Sequence, residues 1–216
     1  MKLLKETPGV RYELFDLSAR DEMALLVSEA FIRYEPMAVA QNFSQKEFIE
    51  FINLLAPKAE KKKLTITAKD KATEKIIGTL IAEDFVSPLP SGMEKLSEKF
   101  GPIFALLDEL DGRYKQKRDI KLGDCLHVYI VAIDQLRHGE RSAQTLIGVC
   151  LENAIRQGYK VAVTEATGLI SQHVFRKLGF VDRHEILYKT FAYEGRQVFE
   201  SIAGHTGTIL MDKVLT

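Results

Sequence analysis

Apolar residues recur along the chain with two periods, one of two residues and one of three to four, and these predict a mixture of strands and helices. The predicted strands cover residues 9–17, 64–69, 75–83, 126–133, 160–165, 180–189 and 205–215. The predicted helices cover 18–31, 44 to about 57, 93–111, 143–155 and 168–178. Pro36 is expected to stop the first helix, and Ser44 with Glu47 forms a capping box for the second. The charged segment 58–63 is expected to be the solvated end of that second helix.

The most regular helix pattern follows strand 126–133. Its apolar positions step by three and one, which predicts one continuous buried stripe made of Ala143, Leu146, Ile147, Cys150, Leu151, Ala154 and Ile155. Gly158 is placed to end this helix as a C′ residue. Cys150 lies within the stripe, which makes it a poor candidate for a nucleophile.

The order of elements predicts a mixed α/β fold, with a central mixed sheet flanked by helices. Residues 84–124 interrupt the pattern with an amphipathic helix and a polar stretch, so they are interpreted as an insertion between two strands of one sheet. The chain is expected to form a single domain over 1–216, with the insertion over the acceptor side of any site.

Composition excludes several classes of protein. The 216 residues are 46% hydrophobic, and 30 basic residues balance 30 acidic ones, which argues against a nucleic-acid binder. No apolar run approaches the length of a membrane span, and the N-terminus turns polar too early for a signal peptide. The two cysteines, Cys125 and Cys150, give no disulfide framework. A cytoplasmic protein, monomer or homodimer, without nucleic-acid or membrane partners is expected.

Basic residues lie at the start of the helix after strand 126–133. A helix N-terminus presents unpaired backbone N–H groups and the positive end of the helix dipole, and here Arg137, His138 and Arg141 add positive charge. This combination favours an anionic ligand such as phosphate. A solvated turn with a few basic residues is the alternative. The nucleotide motifs GxxxxGK and GxGxxG are absent.

The segment EATGLISQHVFRKLGF, residues 165–180, together with this basic turn resembles the GNAT superfamily of acetyl-CoA-dependent N-acetyltransferases. The family's pyrophosphate loop, Gln/Arg-x-x-Gly-x-Gly/Ala, aligns with His138, Arg141 and Ala143, so the central glycine is replaced by arginine. Strand 129–133 resembles the strand whose backbone pairs with pantetheine. The resemblance implies acetyl-CoA as cofactor, bound by Val131, Ala132, Ile133, Arg137, His138, Gly139, Glu140, Arg141, Ser142, Ala143 and Phe175.

Two further segments, 30–40 and 185–215, are similar to the insect-type arylalkylamine N-acetyltransferase branch. The branch implies acetyl transfer to the primary amine of a small molecule by direct attack, with Glu35 as general base and His205 at the substrate. A carboxylate beside apolar residues on a bend before proline is also a reasonable base on physical grounds, because partial burial raises its pKa. The alternative is a solvated glutamate at a helix end.

The departing thiolate can take a proton from a side chain, or it can leave unprotonated because the pKa of a thiol is only roughly 8–9. Phe175 aligns with the tyrosine that often fills this role, and phenylalanine cannot donate a proton. Ser171 is the catalytic alternative, although a local backbone hydrogen bond is the more ordinary use of a helix-start hydroxyl. The backbone near Ala132 and Ile133 is expected to hold the oxyanion. None of the five histidines has HxxxH or HExxH spacing, so no metal is predicted.

Phe85, Phe100, Phe104 and Leu107 of the insertion are candidates for a wall or lid over the acceptor, or simply for core residues. An aromatic pocket would suit an aryl or alkyl amine, and an acidic pocket would suit a polyamine. The competing hypotheses are a catalytically weak CoA-binding or sensor protein, for which Glu35 has no use, and acetylation of a protein N-terminus or lysine. A closed acceptor groove would argue against a peptide substrate.

Overall fold

The structure, a computed structural model, describes residues 2–116, 118–135 and 142–216. Eight strands are present: β1 Leu3–Glu6, β2 Val10–Leu14, β3 Ile66–Asp70, β4 Ile76–Asp84, β5 Cys125–Ile133, β6 Val161–Ala166, β7 Val181–Leu187 and β8 Gly207–Val214. Six α-helices accompany them: α1 Arg20–Tyr34, α2 Pro36–Ala40, α3 Gln45–Lys62, α4 Phe100–Lys115, α5 Ser142–Arg156 and α6 Leu169–Lys177. Short 3-10 helices cover Leu17–Ala19 and Met93–Lys95.

All eight strands form one mixed sheet in the order β1-β2-β3-β4-β5-β6-β8-β7. Within the described residues β5 and β6 run parallel, and the other neighbouring strands run antiparallel. The crossover between β5 and β6 is α5, as a parallel connection requires. The prediction of a mixed α/β sheet flanked by helices is confirmed.

Each face of the sheet buries its own hydrophobic core. Residues from α1 to α4 pack on one face, and residues from α5 and α6 pack on the other. Alternating strand residues enter one core or the other, as the period of two requires. Within the described residues, no helix is long and apolar enough to cross a membrane.

The capping box at α3 is confirmed. The Ser44 hydroxyl accepts the backbone N–H of Glu47, and the Glu47 carboxylate accepts the backbone N–H of Ser44 at 2.8 Å. The helix passes Pro57 and ends at Lys62, so the expectation that 58–63 forms its end is confirmed. Burial of Leu55, Ala56 and Ala59 offsets the hydrogen bond that an internal proline removes.

The expectation that 58–63 is solvated is wrong for its first residues. Ala59 is buried, and the Lys58 side chain, 16% exposed, forms an ion pair with Glu83 of β4. Lys63 caps the helix in the left-handed conformation, and the Lys63 carbonyl oxygen accepts hydrogen bonds from the side chains of Asn153 on α5 and of Gln157, the first residue after α5. The ends of the two helices are thereby linked just before β3 begins.

Several short elements escaped the sequence patterns. Strand β1 and the five-residue helix α2 were not predicted, because both are too short to show a period. Pro36 does end α1, but it also occupies the first position of α2, where a proline is favourable. The helix predicted from Met93 begins instead at Phe100, and Met93–Lys95 is a single 3-10 turn.

The stripe on α5 is buried over most of its length. Leu146, Ile147, Cys150, Leu151 and Ala154 belong to the second core. Ile155 is 41% exposed, so the prediction that it is buried is wrong. The last turn of α5 extends beyond the residues that pack on the sheet. Gly158, at φ 92°, terminates the helix in the left-handed conformation, as predicted.

The close approach of the β7 and β8 backbones can be tested by a substitution at Gly207. A methyl group on Gly207 would lie 2.2 Å from the carbonyl oxygen of Ile186, which is backbone and cannot rotate away. We expect Gly207→Ala to lower the free energy of unfolding by about 2–4 kcal/mol, since the backbone has to shift. Urea unfolding followed by circular dichroism measures this loss.

Gly148→Ala is the matched control for that substitution. Gly148 lies within α5 and has no neighbouring atom within 4 Å of an added methyl group. Alanine is favoured over glycine inside a helix, so this variant should be more stable by about 0.5–1 kcal/mol. Equal destabilisation by both substitutions would contradict the contact between Gly207 and β7.

Candidate active site

Strands β5 and β6 pair over only part of their length. The register joins Cys125 to Val161, Leu126 to Ala162 and His127 to Val163, and it extends no further in the described residues, although both strands continue. Beyond this point the two strands diverge and open a cleft in the middle of the sheet. Backbone groups that face the cleft can pair with the amides of an extended ligand, because the neighbouring strand no longer satisfies them.

A β-bulge in β5 lies at the apex of this cleft. Ile81 of β4 pairs with Ile130 and Ala82 pairs with Val128, so Tyr129 is the extra residue. The bulge reverses which core the following residues face. Ile130 and Ala132 join the core beneath α1 to α4, while Val131 and Ile133 face α5. The local twist separates the end of β5 from β6.

The cleft continues into a cavity of about 1250 Å³. One end lies between the diverging strands and the start of α5, where Ser142 and Ala143 line it. The other end lies under α1, α3 and α4, whose aromatic side chains form its wall. These lining side chains are Phe31, Phe48, Phe51, Phe100 and Phe104. The cavity therefore has room for an elongated ligand at one end and a small apolar one at the other.

The residues predicted to bind the cofactor divide into two groups. Val131, Ala132, Ile133, Ser142, Ala143 and Phe175 all line the cavity. Arg137, His138, Gly139, Glu140 and Arg141 lie outside the described residues. The first group brings the end of β5 and the first turn of α5 together, which is the position for which an anionic ligand was expected.

Glu35 lies at the junction between α1 and α2 and faces the cavity. It is the N-cap of α2, and its carboxylate oxygens accept the backbone N–H groups of Met37 at 3.2 Å and Ala38 at 2.5 Å. The Thr167 hydroxyl, just beyond β6, donates a further hydrogen bond. This capping gives Glu35 a structural role that the sequence analysis did not assign to it.

Burial raises the pKa of Glu35 above its ordinary value of 4.5, and the hydrogen bonds from Ala38, Thr167 and Met37 only partly oppose this. A carboxylate has about four acceptor positions, so three donors leave room for another. A carboxyl group with a raised pKa, held by rigid backbone donors and facing a cavity, can accept a proton from a ligand.

The other candidate residues have mixed environments. The Ser171 hydroxyl donates to the carbonyl oxygen of Gly168 at 2.8 Å and accepts its N–H at 3.2 Å, which is the local bond that the sequence analysis preferred. His205 accepts the backbone N–H of Leu169 at 3.2 Å and also lines the cavity. Phe175 is buried against Phe180 in the second core.

The largest feature missed from the sequence is a buried ionic chain beneath the cavity. Lys58 of α3 pairs with Glu83 of β4, His127 of β5 lies 3.9 Å from Glu83, and His127 contacts Glu165 of β6 at 2.6 Å. Asp111 of α4 faces Glu165 from the other side. Glu165 and Tyr129 line the cavity from this chain. A histidine in LHVYIVAI and a glutamate in VAVTEA were visible signals, since buried strands rarely hold such residues.

The charges in this chain depend on one another. Burial alone would lower the pKa of His127, but Glu165 raises it to about 9, so His127 is protonated at neutral pH. Burial would raise the pKa of Glu165, but the charge of His127 lowers it below its ordinary value. Burial and the charge of Glu165 raise the pKa of Asp111 to about 7. Glu165 therefore stays ionised while Asp111 holds a proton that it readily loses.

Segment 84–124, predicted to be an insertion, supplies α4 and part of the cavity wall. Phe100, Phe104 and Leu107 line the cavity, and Phe100 also stacks on Phe104 with ring centroids 5.5 Å apart. Phe85 does not line the cavity and packs on Tyr114 and His127 instead. The sequence left open whether the apolar residues of this segment form a cavity wall or part of the core, and residues of α4 do both.

No protein-family model and no curated protein sequence matches the chain. Solved structures do match its fold. The C-terminal condensation domain of Ebony in complex with beta-alanyl-dopamine has a TM-score of 0.87 at 14% identity and covers 95% of this chain and 98% of that one. Arylalkylamine N-acetyltransferase 2 from Aedes aegypti has a TM-score of 0.80 at 24% identity, covering 96% and 99%.

A third structure, the polyamine N-acetyltransferase of Drosophila melanogaster, has a TM-score of 0.77 at 16% identity and covers 95% of this chain and 100% of that one. The chain therefore has the GNAT fold and resembles the insect arylalkylamine N-acetyltransferases, as the sequence motifs indicated.

The raised pKa of Asp111 has a measurable consequence for stability. The stabilisation of the folded state by protonated Asp111 is fully present below the ordinary aspartate pKa of 3.8. It is lost as the pH rises through the folded-state pKa of about 7. Asp111→Asn removes this titration. We expect the stability of the variant, relative to wild type, to increase between about pH 4 and pH 7 and then to level off. Urea unfolding across that range measures it, and a difference that does not change with pH would contradict the shifted pKa.

Proposed function

We propose that the chain is an acetyl-CoA-dependent N-acetyltransferase that transfers an acetyl group to the primary amine of a small molecule. The observation that carries this proposal is the cavity itself. One cleft joins diverging strands and a helix N-terminus, which suit a pantetheine and its phosphates, to an aromatic chamber that holds the half-buried carboxylate of Glu35. The similar folds of N-acetyltransferases support the same conclusion.

The cleft residues fit the cofactor at its extended arm. Unpaired backbone groups of 129–133 can pair with pantetheine amides, and Ser142 and Ala143 begin the helix that would face the pyrophosphate. Arg137, His138, Gly139, Glu140 and Arg141 would complete that phosphate site. When bound, acetyl-CoA supplies the activated acyl group. A backbone N–H near Ala132 or Ile133 would stabilise the oxyanion.

Glu35 acts as the general base in this proposal. A primary amine is protonated near neutral pH and becomes a nucleophile only when the proton is removed. Glu35, with a raised pKa and a fixed position, accepts that proton directly or through water. The amine nitrogen would then bond to the acetyl carbon as the carbon–sulfur bond breaks, and the second proton of the nitrogen would pass to the departing thiolate or to water. The thiolate leaves without a tyrosine donor, since Phe175 fills that position and a thiol has a pKa of roughly 8–9.

Ser171 and His205 are proposed to bound the reacting centre. Both line the cavity near Gly168. Ser171 hydrogen-bonds Gly168, and a methyl group added to Gly168 would lie 3.5 Å from the His205 ring and 3.6 Å from Pro36. The wall that α4 places over the acceptor side supports a small-molecule substrate and argues against a protein N-terminus or lysine, which needs an open channel.

Glu35→Gln tests the base. Glutamine cannot take a proton, so we expect kcat/KM to fall by about 10²–10⁴. It keeps only one of the two oxygens that accept the N–H groups of Met37 and Ala38, so we also expect the free energy of unfolding to fall by about 1 kcal/mol. The decrease of kcat/KM at acidic pH, where Glu35 becomes protonated in wild type, should be absent from the variant. Glu29→Gln, on the exposed side of α1, is the control and should behave as wild type. An unchanged kcat/KM in Glu35→Gln would rule out the base.

The cofactor site is tested by calorimetric titration with acetyl-CoA. We expect Arg141→Ala to weaken acetyl-CoA binding by about tenfold or more, because a charge-assisted contact with phosphate is lost. Dephospho-CoA serves as the comparison ligand. Tight binding of acetyl-CoA without acetylation of any amine would favour the second hypothesis, a CoA-binding or sensor protein. No binding of acetyl-CoA would contradict both hypotheses.

A further inference from the structure

Tyr188 has a buried hydroxyl group that is linked to Glu35 through one residue. The tyrosine directly follows β7, is 1% exposed, and packs its ring on Phe199 with ring centroids 5.9 Å apart. Its hydroxyl donates to the backbone carbonyl oxygen of Thr167 at 2.6 Å and accepts the hydroxyl of Thr208 at 3.0 Å. Thr208 lies in β8 and is fully buried. A tightly packed side chain therefore holds the residue whose hydroxyl contacts the Glu35 carboxylate.

Thr167 lies at the point where β6 ends. The last residue of β6 is Ala166, which pairs with Ile209 of β8, and Thr167 follows it and lines the cavity. The carbonyl oxygen of Thr167 accepts the Tyr188 hydroxyl, while the Thr167 hydroxyl donates to Glu35. Fixing this peptide group fixes the direction in which the Thr167 side chain projects, because a contact is precise only when the groups that support it are rigid.

The hydrogen bonds in this series all run in one direction. Thr208 donates to Tyr188, and Tyr188 donates to Thr167. Burial, and then the charge of Glu35, raise the pKa of the Tyr188 hydroxyl above its ordinary value of 10.0. Tyr188 therefore remains a protonated donor over the range in which a carboxyl group titrates. The last hydrogen bond, from Thr167 to Glu35, favours the ionised carboxylate and lowers its pKa against the effect of burial.

We propose that Tyr188 is a positioning residue for the general base, because its hydroxyl holds Thr167 where the Thr167 side chain donates to Glu35. The inference rests on the proposed acetyltransferase function, in which Glu35 takes the proton of the amine. The N–H groups of Met37 and Ala38 also hold Glu35, but they belong to the same short helix. Thr167 ties the carboxylate to the end of β6 instead, beside the cleft in which the thioester would lie. Without that tie fewer encounters of base and amine have a productive geometry.

Tyr188→Phe removes the hydroxyl and keeps the ring. With the best acceptor among phenethylamine, pentylamine and cadaverine, we expect kcat to fall by about tenfold while the KM for acetyl-CoA changes by less than about twofold. Loss of the hydrogen bond from Thr167 raises the pKa of Glu35. The decrease of kcat/KM at acidic pH should therefore move to higher pH by roughly half a unit. A lower rate with an unchanged pH midpoint would overturn the inference, since that is what a purely structural role predicts.

A double-mutant cycle with Thr167→Val shows whether Tyr188 acts through Thr167. Valine keeps the branched shape and removes the hydroxyl, so Thr167→Val should move the pH midpoint in the same direction. Adding Tyr188→Phe to Thr167→Val should then move the midpoint no further, because the hydrogen bond to Glu35 is already absent. Thr167→Ser retains a hydroxyl and should keep the wild-type midpoint. Two shifts that simply add would mean that Tyr188 does not act through Thr167, and the inference would be wrong.

Tyr114→Phe is the matched control. Tyr114 is 2% exposed and donates its hydroxyl to Asp212 at 2.7 Å, and neither residue lines the cavity. This variant should lose stability in urea unfolding, as Tyr188→Phe does, yet keep the wild-type kcat and pH midpoint. A midpoint that shifts equally in both variants would overturn the inference.

Thr208→Val is a second variant, for the case that Tyr188→Phe does not fold. It removes the donor to Tyr188, and hydrogen bonds in a series strengthen one another, so the bond from Tyr188 to Thr167 should weaken. The pH midpoint should move in the same direction as in Tyr188→Phe but by less. A midpoint that moves to lower pH would contradict the direction of the series.

A titration of Glu35 without substrate separates this inference from the proposed reaction. NMR of the side-chain carboxyl carbons, in protein carrying isotope-labelled glutamate, follows Glu35, whose signal is the one missing from Glu35→Gln. We expect its midpoint to rise by roughly half a unit in Tyr188→Phe and to stay unchanged in Tyr114→Phe. A raised midpoint in a protein that acetylates no amine would refute the proposed function and keep the link from Tyr188 to Glu35. Acetylation by wild type with an unchanged midpoint in Tyr188→Phe would overturn the inference and keep the function.

Discussion

A buried row of charges joins the elements that surround the aromatic part of the cavity. Lys58, Glu83, His127 and Glu165 alternate in sign across α3, β4, β5 and β6. Asp111 of α4 meets Glu165 at the end of the row, where burial and the charge of Glu165 raise the pKa of Asp111 to about 7. Removing one charged member leaves an uncompensated charge inside the protein, so the row constrains β4, β5, β6, α3 and α4 together. The row meets the cavity at Glu165, which lines it beside aromatic side chains.

The divergence of β5 and β6 is the second constraint, and it gives the cavity two different ends. Tyr129 adds one residue to β5 at the point where pairing with β6 ends, so backbone groups that a regular sheet would use internally become available to a ligand. One end is therefore built of backbone and a helix start, while the other end is built of side chains. Glu35 stands between the two, anchored by the first turn of α2.

Much of this architecture could be predicted from the sequence. The periodicity of apolar residues predicted the long helices and strands, and the motif around 165–180 indicated the GNAT fold. Both signals lie within short segments of the chain, so they can be recognised without the structure. Strand β1 and helix α2 were too short to show a period. The burial of Ala59 and the ion pair of Lys58 with Glu83 at the end of α3 were missed, because a run of charged residues was interpreted as solvated. The meeting of Asp111 with His127 and Glu165 depends on where α4 lies over the sheet. No spacing in the sequence encodes that contact, although polar residues in buried strands hinted at it.

Cys125 and Cys150 are both free and buried, and burial raises the pKa of each thiol well above its ordinary value. Reagents that react with thiols attack the thiolate, so the folded protein presents them with almost none. In an assay of the proposed reaction, a colorimetric thiol reagent would therefore report the released coenzyme and not the folded protein. The same reagent would react with the polypeptide only after it unfolds. One chromophore can thus follow both the chemistry and the integrity of the fold.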